Sequence, residues 1–332
     1  MDKMDIKDRI MAKWLKYRAW WLMALPLIAA CSDDAPAVPA ADEVRYSDVP
    51  IVPTASIVSA KLSRADFEGP VNGTTFTPST TKIFGVTAYL GYDVPTEWSS
   101  NSRLNFSAVN CNDKGTYEFD EWKYYPLDYR TYFYAFSPMI HCTYSEGSAT
   151  EHPKVTYTIT GREDVMWSCN TDGILKHVDP ALQEQPNFQF SHRLQRVIFQ
   201  VRRTASVPAT VKIDRISING LYNVCTLDIV TGNLTFDYNR TPVSLTASYS
   251  MSPTTEYQTY PFDIMFEAGV TEFDITLVLD GTDYDAHVTL SGEHAGEAGY
   301  KHIVKLTVDG VSLNLETPQI VEWDDFSTSG TI

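Results

Sequence analysis

Residues 273–290 read FDITLVLDGTDYDAHVTL, and their pattern indicates the fold class. Apolar side chains alternate with polar ones from Phe273 to Leu279 and again from Tyr284 to Leu290. A period of two residues places successive side chains on opposite faces, as in a half-buried β-strand. Asp280-Gly281 between the two runs is a residue pair that two-residue hairpin turns favour. The stretch therefore predicts two antiparallel strands joined by a tight turn.

The same pattern recurs along most of the chain. Residues 82–90 form a nearly continuous apolar run, which is typical of a strand buried on both faces. Shorter alternating runs contain Tyr132, Tyr134 and Phe136, then Val155, Tyr157 and Ile159, and then Val304, Leu306 and Val308 before Asp309-Gly310. Short strands separated by turn residues, without a fixed short repeat, predict an all-β chain of antiparallel β-sandwich domains.

A polar segment with two prolines, residues 179–186, divides the strands into two sets of similar size. Such segments are typical of domain boundaries. We therefore predict an N-terminal β-sandwich domain over residues 50–183 and a C-terminal β-sandwich domain over residues 184–332.

The first thirty residues have the features of a signal peptide. Six basic residues precede an apolar run of about a dozen residues, which is shorter than the roughly 20 residues of a membrane-spanning helix. The run ends in Ile28-Ala29-Ala30-Cys31, which resembles the lipobox of bacterial lipoproteins, so Cys31 is predicted to carry the lipid. Residues 31–49 then form a predicted flexible tether. The acidic segment Ser32-Asp33-Asp34 resembles the surface-export signal of Bacteroidetes lipoproteins and favours the outer face of the outer membrane.

Charge and cysteine content limit the classes of partner. Residues 1–30 hold six of the 26 basic and three of the 42 acidic residues, so the remainder carries a net charge of about −19. Such a surface repels phosphate backbones, so no nucleic acid partner is expected, and membrane contact is expected only through the lipid on Cys31. The other cysteines, Cys111, Cys142, Cys169 and Cys225, have no CxxC spacing, so no metal is expected, and both disulfide pairing and free thiols remain open.

Residues 188–201 read FQFSHRLQRVIFQV and resemble the signature F-x-F-x-H-x-L-x-x-V-x-F-x-V of the fimbrillin-like lipoproteins of Bacteroidales. Further fragments resemble the same family in the same order: residues 84–89, 122–126, 134–138 and 164–167 and, near the C-terminus, Val321-Glu322-Trp323. The resemblance implies two tandem transthyretin-like antiparallel β-sandwich domains. It also implies a subunit of surface fimbriae or a lipoprotein related to such subunits.

The family's assembly mode, implied by the resemblance, is strand exchange. A trypsin-like processing protease cuts after an arginine and removes the first strand with the lipid, and a strand of another fimbrial subunit fills the groove. The candidate exchanged strand is residues 51–62, with Ile51, Val52, Ile57, Val58 and Leu62 as its apolar residues. Arg64 is the first candidate for cleavage and Arg45 the second, although cleavage at Arg45 would free the lipid without opening a groove. Alternatively, Arg64 is a solvated loop residue in a chain that is never cut.

The C-terminal segments 313–320 and 321–332 are the candidate donor strands. The short polar tail favours a terminal or accessory subunit over a polymerising stalk subunit. Such a subunit would also bind a host surface or a bacterial ligand.

No pattern of catalytic residues stands out. The sequence has no GxSxG motif, phosphate-binding loop, dinucleotide fingerprint or HExxH motif, so an enzyme and a bound cofactor are not expected. We interpret His192 and Trp323 as structural residues. We expect His192 to anchor a β-bulge near Gln195-Arg196, where the apolar alternation changes parity. A glycan-binding or other host-ligand-binding lipoprotein that stays monomeric is the alternative function. Its candidate aromatic residues are Trp98, Trp122, Tyr124, Tyr125 and Trp167.

Overall fold

The computed structural model describes residues 44–57, 71–72, 75–76, 83–91, 93–98, 103–111, 117–119, 123–174, 185–310 and 312–322. Several predicted features lie outside these residues, namely the signal peptide, Cys31, Val58, Leu62, Arg64, Trp122 and Trp323. All regular elements in the described part of the chain are β-strands, and the predicted all-β fold is confirmed.

The strands of the first half are β1 (Tyr46–Pro50), β2 (Thr54–Ile57), β3 (Val71–Asn72), β4 (Thr75–Phe76), β5 (Phe84–Gly91), β6 (Arg103–Cys111), β7 (Tyr117–Phe119), β8 (Tyr124–Pro126), β9 (Arg130–Ser137), β10 (Cys142–Ser145), β11 (Lys154–Thr158) and β12 (Met166–Ile174). The strands of the second half are β13 (Asn187–His192), β14 (Leu194–Arg203), β15 (Ile213–Leu221), β16 (Val224–Asp228), β17 (Leu234–Phe236), β18 (Val243–Met251), β19 (Gln258–Thr259), β20 (Ile264–Glu267), β21 (Glu272–Leu279), β22 (Thr282–Thr289), β23 (Tyr300–Val308), β24 (Leu313–Leu315) and β25 (Gln319–Glu322).

A seven-stranded sheet organises the N-terminal part, with the order β2-β13-β12-β9-β5-β6-β7. All eight residues of β5 are buried, which confirms the strand expected at residues 82–90. Phe84, Phe133, Phe188 and Phe190 from this sheet form a core on one of its faces, called here the first core. Phe136 reaches the opposite side and packs with Val155, Tyr157 and Leu227 of a second sheet, as in a sandwich.

The C-terminal part is a sandwich of two sheets. One sheet has the order β19-β14-β23-β24, with β20 also paired to β14 and β25 also paired to β23. The other has the order β18-β15-β21-β22. Their inner faces supply a core that includes Phe199, Ile216, Ile275 and Val304, called here the C-terminal core. Most pairs of strands are antiparallel, but β14 runs parallel to β23 and β13 runs parallel to β2.

Two connections cross the predicted domain boundary at residue 183. The four-stranded sheet β10-β11-β16-β17 joins strands from both sides of it, with Tyr157 opposite Cys225. In addition, β13 follows the boundary in sequence but pairs with β2 and β12 of the first half. The division into domains 50–183 and 184–332 therefore stays a prediction.

The turn at Asp280-Gly281 confirms the predicted hairpin. Leu279 lies opposite Thr282, and the two turn residues have positive φ angles of 45° and 77°. Positive φ at both central residues is the geometry that such two-residue turns require. At Asp309-Gly310 the connection is longer, because Val308 lies opposite Leu313.

The parity change near Gln195 marks a change of sheet, and the bulge expected there was wrong. The backbone leaves the seven-stranded sheet after His192, and the Arg193 amide donates to the Val165 carbonyl at 2.8 Å. From Leu194 onward the chain pairs with β20 in unbroken register through Arg196. Each half of the apolar pattern therefore faces a different core, which produces the change of parity.

Candidate functional site: the first strand and its groove

The segment expected to be exchangeable lies at the edge of the seven-stranded sheet. Among the described strands, β2 pairs only with β13, and the register places Thr54 beside Asn187 and Ile57 beside Phe190. A strand at a sheet edge can be removed without breaking the hydrogen bonds between the other strands. Its loss would uncover the backbone groups of β13, which are then free to bind another strand.

Backbone and side-chain hydrogen bonds hold the residues that lead into β2. The Ile51 amide donates to the Lys123 carbonyl at 2.8 Å, and the Thr54 amide donates to the Pro186 carbonyl at 2.9 Å. The Val52 amide donates to Oε1 of Gln185 at 2.9 Å. The Tyr117 hydroxyl also donates to the Ala55 carbonyl at 3.3 Å, and the Thr54 hydroxyl donates to Oδ1 of Asn187 at 3.1 Å. Polar contacts and apolar burial therefore both attach the segment.

Gln185 is a residue of this site that sequence reasoning missed. Its Oε1 accepts from the Val52 amide and also from the Tyr125 hydroxyl at 3.1 Å. Its position in a polar segment suggested only a domain boundary. No motif marks a glutamine that binds backbone more than a hundred residues away.

Two apolar side chains of the segment enter the first core. Ile51 is 1% exposed and Ile57 is 4% exposed. They pack in the same cluster as Phe84, Phe188 and Phe190, whose rings lie between 5.2 and 6.2 Å apart. Val52 is half-buried, whereas Val58 and Leu62 lie outside the described residues. The segment thus covers an aromatic surface that its removal would expose to water.

The two candidate cleavage residues differ in what can be described. Arg45 is exposed, and its guanidinium pairs with Asp128 at 2.8 Å. The Arg45 carbonyl accepts from the Leu127 amide at 2.9 Å, and β1 directly after it pairs with β8. Arg64 lies outside the described residues. A cut after Arg45 leaves β2 in the chain, in agreement with the argument from sequence.

His192 is buried at the end of β13. Its Nδ1 lies 2.9 Å from Oδ1 of Asp164, and both side chains are 3% exposed. Met166, opposite His192 in β12, belongs to the first core. The histidine thus lies where the backbone leaves the seven-stranded sheet, and its role as a structural residue stays a prediction.

Three of the four cysteines past residue 31 are described as free thiols: Cys142, Cys169 and Cys225. Cys142 and Cys225 lie opposite Tyr157 from its two neighbouring strands, so they are separated by two strand spacings, roughly 10 Å. A disulfide needs a Cα separation below about 7 Å. Burial raises the pKa of the Cys225 thiol to about 12, which keeps it protonated.

Within the described part of the chain, no group of three His, Cys, Asp or Glu side chains is placed to hold a metal ion. No helix there has the length and apolarity that a membrane crossing requires. Of the aromatic residues named for glycan binding, Trp98 and Tyr125 are buried, Trp167 is half-buried and Tyr124 is 38% exposed.

The fold is shared with solved structures from Bacteroides. A fimbrial protein from Bacteroides vulgatus ATCC 8482 aligns with a TM-score of 0.56 at 15% identity, over 82% of this chain and 99% of that chain. A structure from Bacteroides ovatus ATCC 8483, to which a role in cell adhesion is ascribed, aligns with a TM-score of 0.54 at 15% identity, over 85% and 100%. A third, from Bacteroides uniformis ATCC 8492 and with the same ascribed role, has a TM-score of 0.53 at 15% identity, over 82% and 99%. At this identity the likeness establishes the fold alone.

No curated protein matches the chain in sequence. The family model described as fimbrillin-like matches residues 63–323, which is most of the chain. The chain therefore belongs to the fimbrillin-like family.

Proposed function

We propose that the chain is a structural or adhesive subunit of surface fimbriae, or an accessory tip protein, that joins other fimbrial subunits by β-strand exchange. Membership of the fimbrillin-like family supports a fimbrial or adhesive role at the cell surface. In this role the protein performs no catalysis and needs no cofactor.

One observation carries the strand-exchange proposal: residues 51–57, which include the edge strand β2, bury Ile51 and Ile57 against an aromatic core. Each fully buried side chain of this size contributes about 1.5–3 kcal/mol. A donor strand that reburies two such positions would gain about 3–6 kcal/mol before ordering costs. Backbone hydrogen bonds to β13 would add to this gain.

Export and processing complete the proposal. Residues 1–30 direct export, and Cys31 carries the lipid at the outer membrane. Residues 46–49 of the predicted tether 31–49 belong to strand β1, so the tether that we propose ends before Tyr46. Cleavage after Arg64 by a trypsin-like protease would release β2 together with the lipid. Cleavage after Arg45 would release the lipid and leave the groove filled, because β2 follows Arg45 in the chain.

The donor strand and the domains belong to the same proposal. The last described strands, β24 and β25, both pair with β23 at the edge of the C-terminal sandwich. An edge position suits a strand that leaves its own sheet to fill the groove of another subunit. We place the groove in an N-terminal domain, residues 50–183, and the donor in a C-terminal domain, residues 184–332. A subunit at the end of the fimbria would contact a host surface or a bacterial ligand.

A reversible covalent lock on β2 tests the proposal. Ser56 lies beside Gln189 across the parallel pair, and neither side chain belongs to the buried core. Strands in a sheet are about 4.8 Å apart, which is within the Cα range that a disulfide accepts. The double variant Ser56→Cys/Gln189→Cys should therefore link β2 to β13 under oxidising conditions.

After trypsin treatment we expect the wild-type chain to start at Ala65 by N-terminal sequencing and to form ladders with itself or with co-purified fimbrial subunits. The oxidised double variant should be cut at the same bond but form no ladder, because β2 stays in the groove. Reduction should restore the ladder. The single variant Ser56→Cys is the matched control and should behave as wild type. Ladder formation by the oxidised double variant at the wild-type rate would contradict strand exchange at this edge.

A further inference from the structure

A pocket opens at one end of the C-terminal sandwich, far in sequence from the first strand. It has a volume of about 400 Å³, within the usual range of small-ligand sites. Three connections contribute to it: the link from β15 to β16 with Tyr222, the link from β17 to β18 with Tyr238, and the link from β20 to β21, which follows Glu267. None of these residues takes part in the proposed strand exchange.

Two tyrosine rings form the aromatic wall of the pocket. The centroids of Tyr222 and Tyr238 are 5.0 Å apart and the ring planes are nearly perpendicular, at 89°. Tyr238 is 60% exposed, the largest exposure among the exposed large hydrophobic residues of the described chain. An exposed ring face carries partial negative charge and attracts a cation above it.

The polar wall of the pocket is negative. Among the described lining residues are two carboxylates, Glu267 and Glu272, and no lysine or arginine. The Tyr238 hydroxyl donates to the Glu267 carboxylate, which brings the ring and the charge together. Partial burial raises the pKa of Glu267, because the charged form loses hydration there. A cation placed beside this carboxylate would compensate for the lost hydration.

The pocket is also held in shape before any ligand binds. The side-chain amide of Gln195, which is fully buried, donates to the carbonyls of Glu267 and Val270 at 2.8 Å each. Gly220 and Gly269 have positive φ, and a Cβ at either position would meet no atom within 4 Å. The backbone is thus fixed and the space above these two glycines is open. Preorganised sites lose less conformational entropy on binding.

From this geometry we infer that the pocket binds the guanidinium group of an arginine presented by a partner protein. Guanidinium is planar, stacks on aromatic rings and forms paired hydrogen bonds with carboxylates, so it matches both walls of the pocket. A neutral sugar would also stack on tyrosine, but it would leave two carboxylates without a countercharge. The function of this site does not depend on strand exchange.

Binding of a small probe to the purified full chain tests the inference. Acetyl-arginine amide is titrated by calorimetry against acetyl-citrulline amide, which has nearly the same shape and no charge. We expect the arginine probe to bind at least about tenfold more tightly, and its affinity to fall as salt is raised. Methyl galactoside serves as the neutral sugar probe and should show no saturable binding.

Three variants complete the experiment. Glu267→Gln keeps the shape of the side chain and should weaken arginine binding about tenfold, since one charge-assisted pair is lost. Tyr238→Leu should weaken it about fivefold, through loss of the cation–π contact. Glu256→Gln makes the same change at an exposed site outside the pocket lining and should have no effect. Equal binding of the two amides, no saturable binding of the arginine amide, saturable binding of the sugar, or equal affinities of Glu267→Gln and Glu256→Gln would overturn the inference.

Discussion

The substitution Ile57→Ala should loosen strand β2 without loosening the rest of the molecule. Ile57 is 4% exposed and lies at an edge, beside Phe190. Replacing a buried isoleucine by alanine costs about 2–5 kcal/mol, and the lower part of this range applies where neighbours can relax. At a sheet edge we expect about 2–3 kcal/mol. This corresponds to an increase of about 30- to 150-fold in the equilibrium constant for opening the strand.

Native-state hydrogen exchange measures this opening directly. The Thr54 amide donates to the Pro186 carbonyl, so it exchanges only when the segment leaves the groove. In Ile57→Ala its exchange should accelerate by the same factor of about 30 to 150. Amides of β21 that exchange by local opening of the C-terminal core, with β2 still in place, should keep their wild-type exchange rates, because this core does not include Ile57.

The control makes the same chemical change in the other core. Ile275 is fully buried in the C-terminal core, and Ile275→Ala should destabilise that sandwich while leaving Thr54 exchange unchanged. If Ile275→Ala accelerated Thr54 and the β21 amides by equal factors, β2 would open only with the whole molecule. That result, or no acceleration of Thr54 exchange in Ile57→Ala, would refute the reasoning that β2 is a separately releasable element.

Two further predictions concern stability elsewhere in the chain. Gly232 has a φ of +74°, and a Cβ there would lie 2.6 Å from the Trp167 ring, so Gly232→Ala should lower the unfolding free energy in urea by about 1–3 kcal/mol. No loss of stability in that variant would show that the loop can move away from the ring. His302 is fully buried, and burial lowers its pKa from 6.5 to about 4. Since the unfolded state takes up this proton first, stability should fall as pH drops from about 6.5 to 4, by about 3 kcal/mol. His302→Leu should remove this part of the pH dependence, and an unchanged pH profile in urea titrations would exclude His302 as its source.

The elements that the sequence predicted well are those decided by local pattern. The alternation in residues 273–290 gave the β21–β22 hairpin together with its turn, because side-chain periodicity and turn chemistry are properties of neighbouring residues. The apolar run at residues 82–90 likewise predicted a strand buried on both faces, as β5 is. Both predictions depend on local sequence and not on the pairing of strands.

The pattern of apolar residues does not show which strands pair with each other. Alternation shows which face of a strand is apolar but not which core receives it, so the parity change near Gln195 predicts a bulge where the structure has a change of sheet. The parallel pairing of β2 with β13 joins residues about 130 positions apart and leaves no local mark. Gln185 and the tyrosine pocket escaped notice for the same reason, since the residues of each site come from distant parts of the chain.

The continuous segment formed by β13 and β14 has a mechanical consequence. Its first part runs parallel to β2, and its second part runs parallel to β23 over eight residue pairs. In a filament whose donor strand has left β23 and fills the groove of β2 in the next subunit, tension would enter β13 from that donor strand and pass from β14 to β23 through their parallel pair. Strands pulled along their length must break their hydrogen bonds together, in shear, instead of peeling them apart one at a time. The backbone from residue 187 to 203 would then act as a tie that carries load across each subunit.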